Sequence, residues 1–231
     1  MKIVGFQNTV FTISQLALYV ATLGILIFTG IMLLKIIPYM DFGFSTNFLG
    51  TKTDAVLYKT HFRIAFYVHI TTSLIVMGTG IFQFFPVILR KFPRFHRLMG
   101  KMYIALILLL AAPSGLVLAV YANGGLAAKV GFTIQCFVWW FTTYFAFMEI
   151  KRGNIAKHID MMLRSYAVTL AAMSLRLESY IMYYAFETKP IETYLTVTWL
   201  SWVGNLLLIE LFIYFGMGKK LLSLSHKKSN Q

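Results

Sequence analysis

The sequence predicts an all-α polytopic membrane protein, a bundle of six transmembrane helices with both termini in the cytoplasm. Its 231 residues are 58% hydrophobic and only 13% charged, whereas soluble domains carry about 25% charged residues. The mean hydropathy is +0.71, and the apolar residues stand in continuous runs rather than in the alternation of a transmembrane barrel. These observations exclude a nucleic-acid-binding domain, and the one cysteine, Cys136, excludes an intrachain disulfide.

Six segments are long and apolar enough for a membrane-spanning helix, which needs about 20 such residues. They run over residues 15–38, 62–89, 100–121, 128–149, 164–186 and 195–217. The connection 39–60 is aromatic and polar, and we expect it to cover part of the bundle. Pro113 lies within the third span and is expected to kink it. Residues 1–231 are therefore treated as a single transmembrane domain.

The charge of the chain is strongly asymmetric, with 21 Lys and Arg against 8 Asp and Glu and a net charge of +13. Most of the basic residues fall in the connections after the second and fourth spans and in the C-terminal tail. The positive-inside rule therefore places these segments and both termini in the cytoplasm. Basic residues at the edge of the bilayer are also expected to bind anionic lipid headgroups.

Ionisable residues inside the spans are informative because a charge in lipid is costly. Arg176 lies near the centre of the fifth span and Glu210 lies in the sixth. At a rise of about 1.5 Å per residue the two differ in depth by roughly one turn, which predicts an Arg176–Glu210 ion pair. Two interpretations stay open: the pair locks the helices, or it belongs to a proton or substrate path or anchors an anionic cofactor group.

The second span carries a polar stripe on one face. At about 100° per residue, this face collects His61, His69, Thr72, Ser73, Gly80 and Gln83. It should point into the bundle because lipid would penalise it, and its small residues allow close helix approach. The stripe either packs and hydrogen-bonds the helices or lines a cofactor site, for example a quinone pocket at His69 and Gln83.

His96 and His158 stand just before the third and fifth spans, each about two turns from the apolar core. They therefore share a depth on alternate helices. A bis-histidine haem requires this arrangement, because the iron takes one neutral ring nitrogen from each side. The haem propionates would find basic partners nearby in Arg97, Lys101, Arg152 and Arg164. The alternatives are two interfacial histidines in a basic rim, or a metal or quinone site.

Other sequence patterns of catalysis and cofactor attachment are absent. The chain has no Cys-x-x-Cys-His motif, which excludes a covalently attached c-type haem. It also has no Walker loop, no His-Glu-x-x-His and no nucleophile elbow. The sequence therefore leaves open whether the protein is an enzyme.

Four motifs occur together in nearly half of the chain. They are His69 with Gly80-Ile81-Phe82-Gln83-Phe84, then Phe95-His96-Arg97-Leu98-Met99-Gly100-Lys101-Met102-Tyr103, then Gly124-Gly125 with Gly131-Phe132 and the aromatic run 139–143, and finally Arg152-Gly153 with His158, Met162, Arg164-Ser165-Tyr166, Ala171-Ala172 and Leu175-Arg176. In this combination they resemble an uncharacterised family of bacterial membrane proteins, filed as domain-of-unknown-function family 2306. The resemblance implies a multi-span helical protein of the bacterial cytoplasmic (inner) membrane, without an established activity.

More distantly, the layout is similar to cytochrome b561-type proteins, in which histidines on successive helices hold b-type haem. The fourth span of this chain has no histidine, so the resemblance implies at most one bis-histidine site. Our hypothesis from the sequence is an electron-transfer protein that binds one b-type haem or a quinone near its cytoplasmic face and serves an unidentified redox partner. The rival functions are a cofactor-free small transporter or channel-like protein, with Arg176, Glu210 and the span-two stripe along a path, and an accessory membrane subunit.

Overall fold

The computed structural model describes residues 2–43 and 48–226. These residues contain no strand, which confirms the all-α prediction. A five-residue π-helical segment, Ile107–Ala111, joins α5 to α6. The helices are α1 (Lys2–Ile36), α2 (Asp54–Leu57), α3 (Thr60–Ile81), α4 (Pro86–Lys91), α5 (Pro93–Leu106), α6 (Ala112–Val120), α7 (Gly125–Lys151), α8 (Ile155–Thr169), α9 (Ala171–Phe186), α10 (Pro190–Tyr214) and α11 (Met217–His226).

Five segments of the described chain are long and apolar enough to cross a membrane, namely Tyr19–Tyr39, Thr60–Phe84, Pro93–Val120, Gly125–Lys151 and Pro190–Tyr214. They correspond to five of the six predicted spans. The region of the remaining span, 164–186, differs from the prediction: its helix begins at Ile155 and is broken at Leu170, which leaves halves of 15 and 16 residues. The six-span count and the cytoplasmic termini stay predictions.

The break at Leu170 is local, because helical hydrogen bonds continue on both sides of it. Leu170 N donates to Tyr166 O at 3.0 Å, and Ser174 N donates to Leu170 O at 3.0 Å. The carbonyl of Ala167 accepts a hydrogen bond of 3.0 Å from Asn205 Nδ2 of α10. A neighbouring helix therefore satisfies the backbone at the break, as an apolar surrounding requires.

The third span is distorted before Pro113, which has no N–H to continue the helical ladder. Side chains from two other helices bond to the carbonyls of the π-helical segment. Trp140 Nε1 of α7 donates to Leu108 O at 3.1 Å, and His69 Nδ1 of α3 bonds to Ala111 O at 2.9 Å. The predicted kink at Pro113 therefore takes the form of a π-helical turn held from both sides.

A cluster of buried polar side chains joins α5, α7 and α8 at the centre of the bundle. The hydroxyl of Tyr103 lies 3.0 Å from Ser165 Oγ and 2.8 Å from Thr169 Oγ1. Thr143 Oγ1 lies 2.7 Å from Ser165 Oγ, and Trp139 Nε1 donates to Thr169 Oγ1 at 2.9 Å. Because these groups satisfy one another in a buried region, they fix the relative position of the three helices. We call these five residues the central lock.

Gly80 on the predicted inward face of α3 permits a close approach to the central lock. A Cβ atom at this position would lie 2.4 Å from the ring of Tyr166 and 2.8 Å from the ring of Tyr103. The hydroxyl of Tyr166 donates to Met77 O at 3.0 Å, which ties α8 to α3. The prediction that a small residue of the stripe allows helices to pack closely is confirmed at Gly80.

The two ends of the bundle differ in composition. At one end α3 and α7 finish and α5 and α8 begin; we call it the basic end, after its exposed residues Arg90, Arg94, Arg97, Lys101 and Lys157. At the opposite end, residues 48–59 pack over the start of α3, with Leu49 and Leu57 buried against Phe62 and Phe66. We call residues 48–59 the aromatic cap, and its packing confirms that the connection 39–60 covers part of the bundle.

Candidate functional site

The central lock sets the register of α5 against α8, two helices that both start at the basic end. Tyr103 of α5 bonds to Ser165 of α8, and each is preceded by a histidine seven residues earlier, His96 and His158. Seven residues are about two helical turns, or roughly 10 Å, so each histidine shares the face of its lock residue. The structure therefore brings the two predicted ligands to one level, where they interact electrostatically.

His158 is oriented by a backbone carbonyl. Its Nδ1 lies 2.8 Å from Ala146 O, and because a carbonyl only accepts, Nδ1 carries the proton and Nε2 keeps its lone pair. Burial lowers the pKa of His158, although the hydrogen bond to Ala146 acts in the opposite direction. A neutral ring with one nitrogen anchored to a carbonyl is the usual state of a metal-binding histidine.

Two buried nitrogen atoms near this level have no hydrogen-bond partner within residues 2–43 and 48–226: His96 Nδ1 and Gln83 Nε2. Gln83 reaches α5 one turn beyond His96, since its Oε1 lies 3.1 Å from the point that a Cβ on Gly100 would occupy. An unpaired buried polar group costs about 1–3 kcal/mol. These two nitrogen atoms can therefore each bond to an ordered water or a ligand at this level.

Helix α11 packs on α8 and α4 at the basic end, close to the two histidines. Gly218 of α11 lies directly on the carboxylate of Asp160, two residues after His158, and leaves no room for a Cβ atom. Burial raises the pKa of Asp160, although Arg164 acts in the opposite direction. Helix α11 therefore packs against the turn of α8 that contains Asp160.

The basic residues predicted beside the histidines divide into two groups: two form ion pairs with glutamates, and two are exposed. Arg164 is committed to Glu210 of α10 by two contacts, of which Nη2 to Oε2 measures 2.8 Å. Arg152 pairs with Glu149 at 2.9 Å. Arg97 is exposed immediately beside His96, as is Lys101 one turn further along. The prediction that Arg164 is available for an anionic cofactor group is therefore wrong, and Arg97 and Lys101 stay as candidates.

The predicted Arg176–Glu210 ion pair is also wrong. Glu210 bonds to Arg164 instead. Arg176 Nη1 donates to the carbonyl of Ala172 at 2.7 Å, and its guanidinium stands 6.0 Å from the ring centre of Phe28 on α1. The physical reason is register: Asn205 already lies level with the break at Leu170, so the last turns of α10 meet α8 rather than α9.

His69 and Gln83 share the inward face of the second span but lie at different levels. They are 14 residues apart in sequence, which is about 21 Å along a helix. His69 packs on Gly115, where a Cβ atom would lie 2.9 Å from its Cε1 and 3.1 Å from the Cys136 sulfur. Gln83 therefore belongs to the histidine level of the basic end and His69 to a different level, and the quinone pocket at these residues stays a prediction.

The central lock was missed by the sequence analysis, although the sequence contains a signal for it. His158, Ser165 and Thr169 follow one another at intervals of seven and four residues, which places all three on one helical face. Polar residues in such a row on an apolar helix indicate a buried polar layer, and Tyr103 stands in the same relation to His96.

The family comparison covers both histidines of the basic end. The model of the family described as "Predicted membrane protein (DUF2306)" matches residues 66–213, a range that contains His69, Gln83, His96, Arg97, His158, Arg164, Arg176 and Glu210. No curated protein and no solved structure matches the chain, and the more distant likeness to cytochrome b561-type proteins is not shown. The chain belongs to domain-of-unknown-function family 2306 and is a multi-pass helical membrane protein.

Proposed function

We propose that this protein transfers electrons in the membrane through one b-type haem held between His96 and His158 at the basic end. The supporting observation is the register of α5 and α8, because the Tyr103–Ser165 bond aligns the two histidines two turns away. Each imidazole keeps a ring nitrogen that no protein group within the described residues uses. Bis-histidine ligation of iron needs one such nitrogen from each side.

The residues around the histidines fit a haem group. Ala146 O holds the His158 ring in the tautomer that leaves Nε2 for iron. Gly100, one turn beyond His96, admits the side chain of Gln83, whose Nε2 has no partner within the described residues. Arg97, exposed at the basic end, supplies positive charge for carboxylates. A bound haem supplies one-electron chemistry, and these protein groups bind it, orient it and shield it.

The proposal includes a location and an orientation. The protein lies in the bacterial cytoplasmic membrane with its basic end inward, because basic loops are retained on that side. The histidine level then faces the cytoplasm, where a redox partner would exchange electrons with it.

The test is the visible spectrum of the full-length protein, purified in mild detergent and recorded oxidised and dithionite-reduced. We expect a Soret band that shifts on reduction, together with resolved α and β bands. His96→Ala and His158→Ala should each lose stoichiometric haem. His61→Ala is the matched control, because His61 bonds to Tyr121 at the opposite end and its removal should leave haem content unchanged.

Two results would overturn the haem proposal. The first is stoichiometric haem in either alanine variant at the basic end. The second is a protein that stays colourless after haem supplementation. A colourless protein that retains a quinone sensitive to Gln83→Leu would move the site to that cofactor. Retention of neither cofactor would favour a small transporter or an accessory subunit.

A further inference from the structure

A polar layer crosses the interface of α9 and α10, two antiparallel helices joined by a short turn. One hydrogen bond of this layer joins the two helices: Ser174 Oγ donates to Asn205 Oδ1 at 2.9 Å. Glu178 stands four residues further along α9, and Ser201 stands four residues earlier on α10. In antiparallel helices both steps lead one turn in the same direction, about 6 Å away from the basic end. Glu178 and Ser201 therefore occupy one level of this interface.

Both residues carry a buried oxygen without a hydrogen-bond partner in the part of the chain that the structure describes: Glu178 Oε2 and Ser201 Oγ. Ser201 is 0% exposed. Neighbouring hydroxyls differ, because Ser179 Oγ donates to Leu175 O at 2.6 Å within its own helix. The two oxygen atoms share a level but make no hydrogen bond with each other, so a further group at this level would offset the cost of burying them unpaired.

The level lies one turn from the break between α8 and α9. Asn205, one turn below Ser201, donates through its amide to the carbonyl of Ala167 at this break, which satisfies that carbonyl. In membrane transporters, interrupted helices with oxygen atoms at mid-depth are typical places for Na⁺ or H⁺. Here the oxygen atoms left for a cation are those of Glu178 and Ser201.

No cation among the described residues neutralises Glu178. Arg176 is two residues away on another face and bonds to Ala172 O beside the ring of Phe28. The other acids of α10 are engaged elsewhere, since Glu210 pairs with Arg164 and Glu192 Oε2 accepts from Lys189 N at 3.0 Å. The remaining titratable groups of α8, α9 and α10 are Lys157, His158, Asp160, Tyr166, Tyr180, Tyr183, Tyr184, Tyr194 and Tyr214.

We propose that Glu178 and Ser201, with the Ser174–Asn205 pair beneath them, form a binding site for one monovalent cation, a proton or Na⁺, between α9 and α10. The site uses no residue of the histidine level at the basic end. It is therefore independent of the haem proposal, and each can fail without the other.

The test uses dicyclohexylcarbodiimide, which reacts with protonated carboxyl groups in apolar surroundings. The full-length protein is treated in detergent, and labelling is located by peptide mass spectrometry. We expect label at Glu178 that is absent from Glu178→Gln and that declines as the pH rises. Protection by Na⁺ but not by K⁺ at constant pH identifies a sodium site, whereas protection by high pH alone identifies a proton site.

Ser201→Ala tests the second ligand. Removing a hydrogen bond to a charged group should shift the pH or Na⁺ concentration that gives half-protection by about tenfold. Ser179→Ala is the matched control and should leave the midpoint unchanged, because its hydroxyl bonds within its own helix. The proposal is overturned if Glu178 stays unlabelled at every pH in the folded protein, if its labelling ignores both pH and Na⁺, or if Ser201→Ala leaves the midpoint unchanged.

Discussion

The aromatic cap and the basic end use polar side chains in opposite ways. At the cap, Lys52 Nζ donates to Tyr121 O at 2.7 Å and to Asn123 Oδ1 at 2.8 Å, and His61 bonds to the Tyr121 hydroxyl at 2.7 Å. At the basic end, His96 Nδ1 and Gln83 Nε2 are buried and lack partners within the described residues. Polar groups that pair with each other stabilise a structure, whereas buried groups left unpaired are places where an ordered water, an ion or a ligand can bind.

The central lock separates the two ends and connects to the histidine level through two helical turns. Its polar atoms bond to one another across three helices, in the manner of the cap. The lock therefore has a structural role, which is to set the register of the two helices that carry His96 and His158. If this division is right, changes at the lock should affect haem binding, whereas changes at the cap should affect stability alone.

The largest effect is expected from Gly80→Ala, because the new Cβ would lie 2.4 Å from the Tyr166 ring. Overpacking of this kind should lower the free energy of unfolding by about 3 kcal/mol. Thermal unfolding in detergent measures it. Gly78→Ala, two residues earlier, is the control: its Cβ would be an ordinary 3.4 Å from Thr29 Cγ2. Equal stability of the two variants would contradict the close packing of α3 on the lock.

Tyr103→Phe removes the hydroxyl that joins α5 to α8 and leaves Ser165 and Thr169 short of one partner. We expect a loss of about 1.5 kcal/mol in stability, together with weaker haem retention on dilution. Tyr121→Phe at the cap removes a hydroxyl bonded to the exposed His61 and should leave haem retention unchanged. Equal haem retention in the two variants would show that the lock does not align the histidines.

At the aromatic cap we expect a smaller effect, a dependence of stability on pH. Burial and the charge of Lys129 lower the pKa of Lys52 from 10.5 to about 8. Between these two values the unfolded chain binds more protons than the folded protein, so stability should rise as the pH increases through this range. Unfolding measured against pH in wild type and Lys52→Met tests this. Persistence of the whole slope in Lys52→Met would assign it to another group.

The smallest effect is expected from Glu210→Gln, since Glu210 is about half exposed and its ion pair with Arg164 lies at the side of the bundle. Exposed pairs contribute less than about 1 kcal/mol, and the amide still offers an oxygen to Arg164. Haem content should be unchanged. A variant that loses haem or fails to fold would show that this pair is part of the basic-end site.

Composition and continuous apolar runs were enough to predict the fold class, because lipid imposes its requirement on every span alike. The matched depth of His96 and His158 could also be predicted, since the helix is regular between each histidine and the central lock two turns away. The partner of Glu210 could not, because depth alone does not say which of two neighbouring helices a residue faces. A shared face is likewise not a shared site, since His69 and Gln83 lie on one face but 14 residues apart.

The break at Leu170 was beyond the sequence analysis, because Leu170 is neither glycine nor proline. The amide of Asn205 on another helix donates to the carbonyl of Ala167 there. Asn205 also accepts from Ser174, and this bond defines the level at which Glu178 and Ser201 lie. Sequence patterns describe one helix at a time, whereas these features depend on pairs of helices.

The most direct test of the central claim is the reduction potential of His158→Met compared with wild type. If His158 binds the haem iron, methionine can take its place, and a Met–His pair should keep the haem and raise the potential. His61→Met serves as the control and should leave the potential unchanged. A His158→Met protein that binds haem with the wild-type potential would contradict the account, because the imidazole would then not be a ligand.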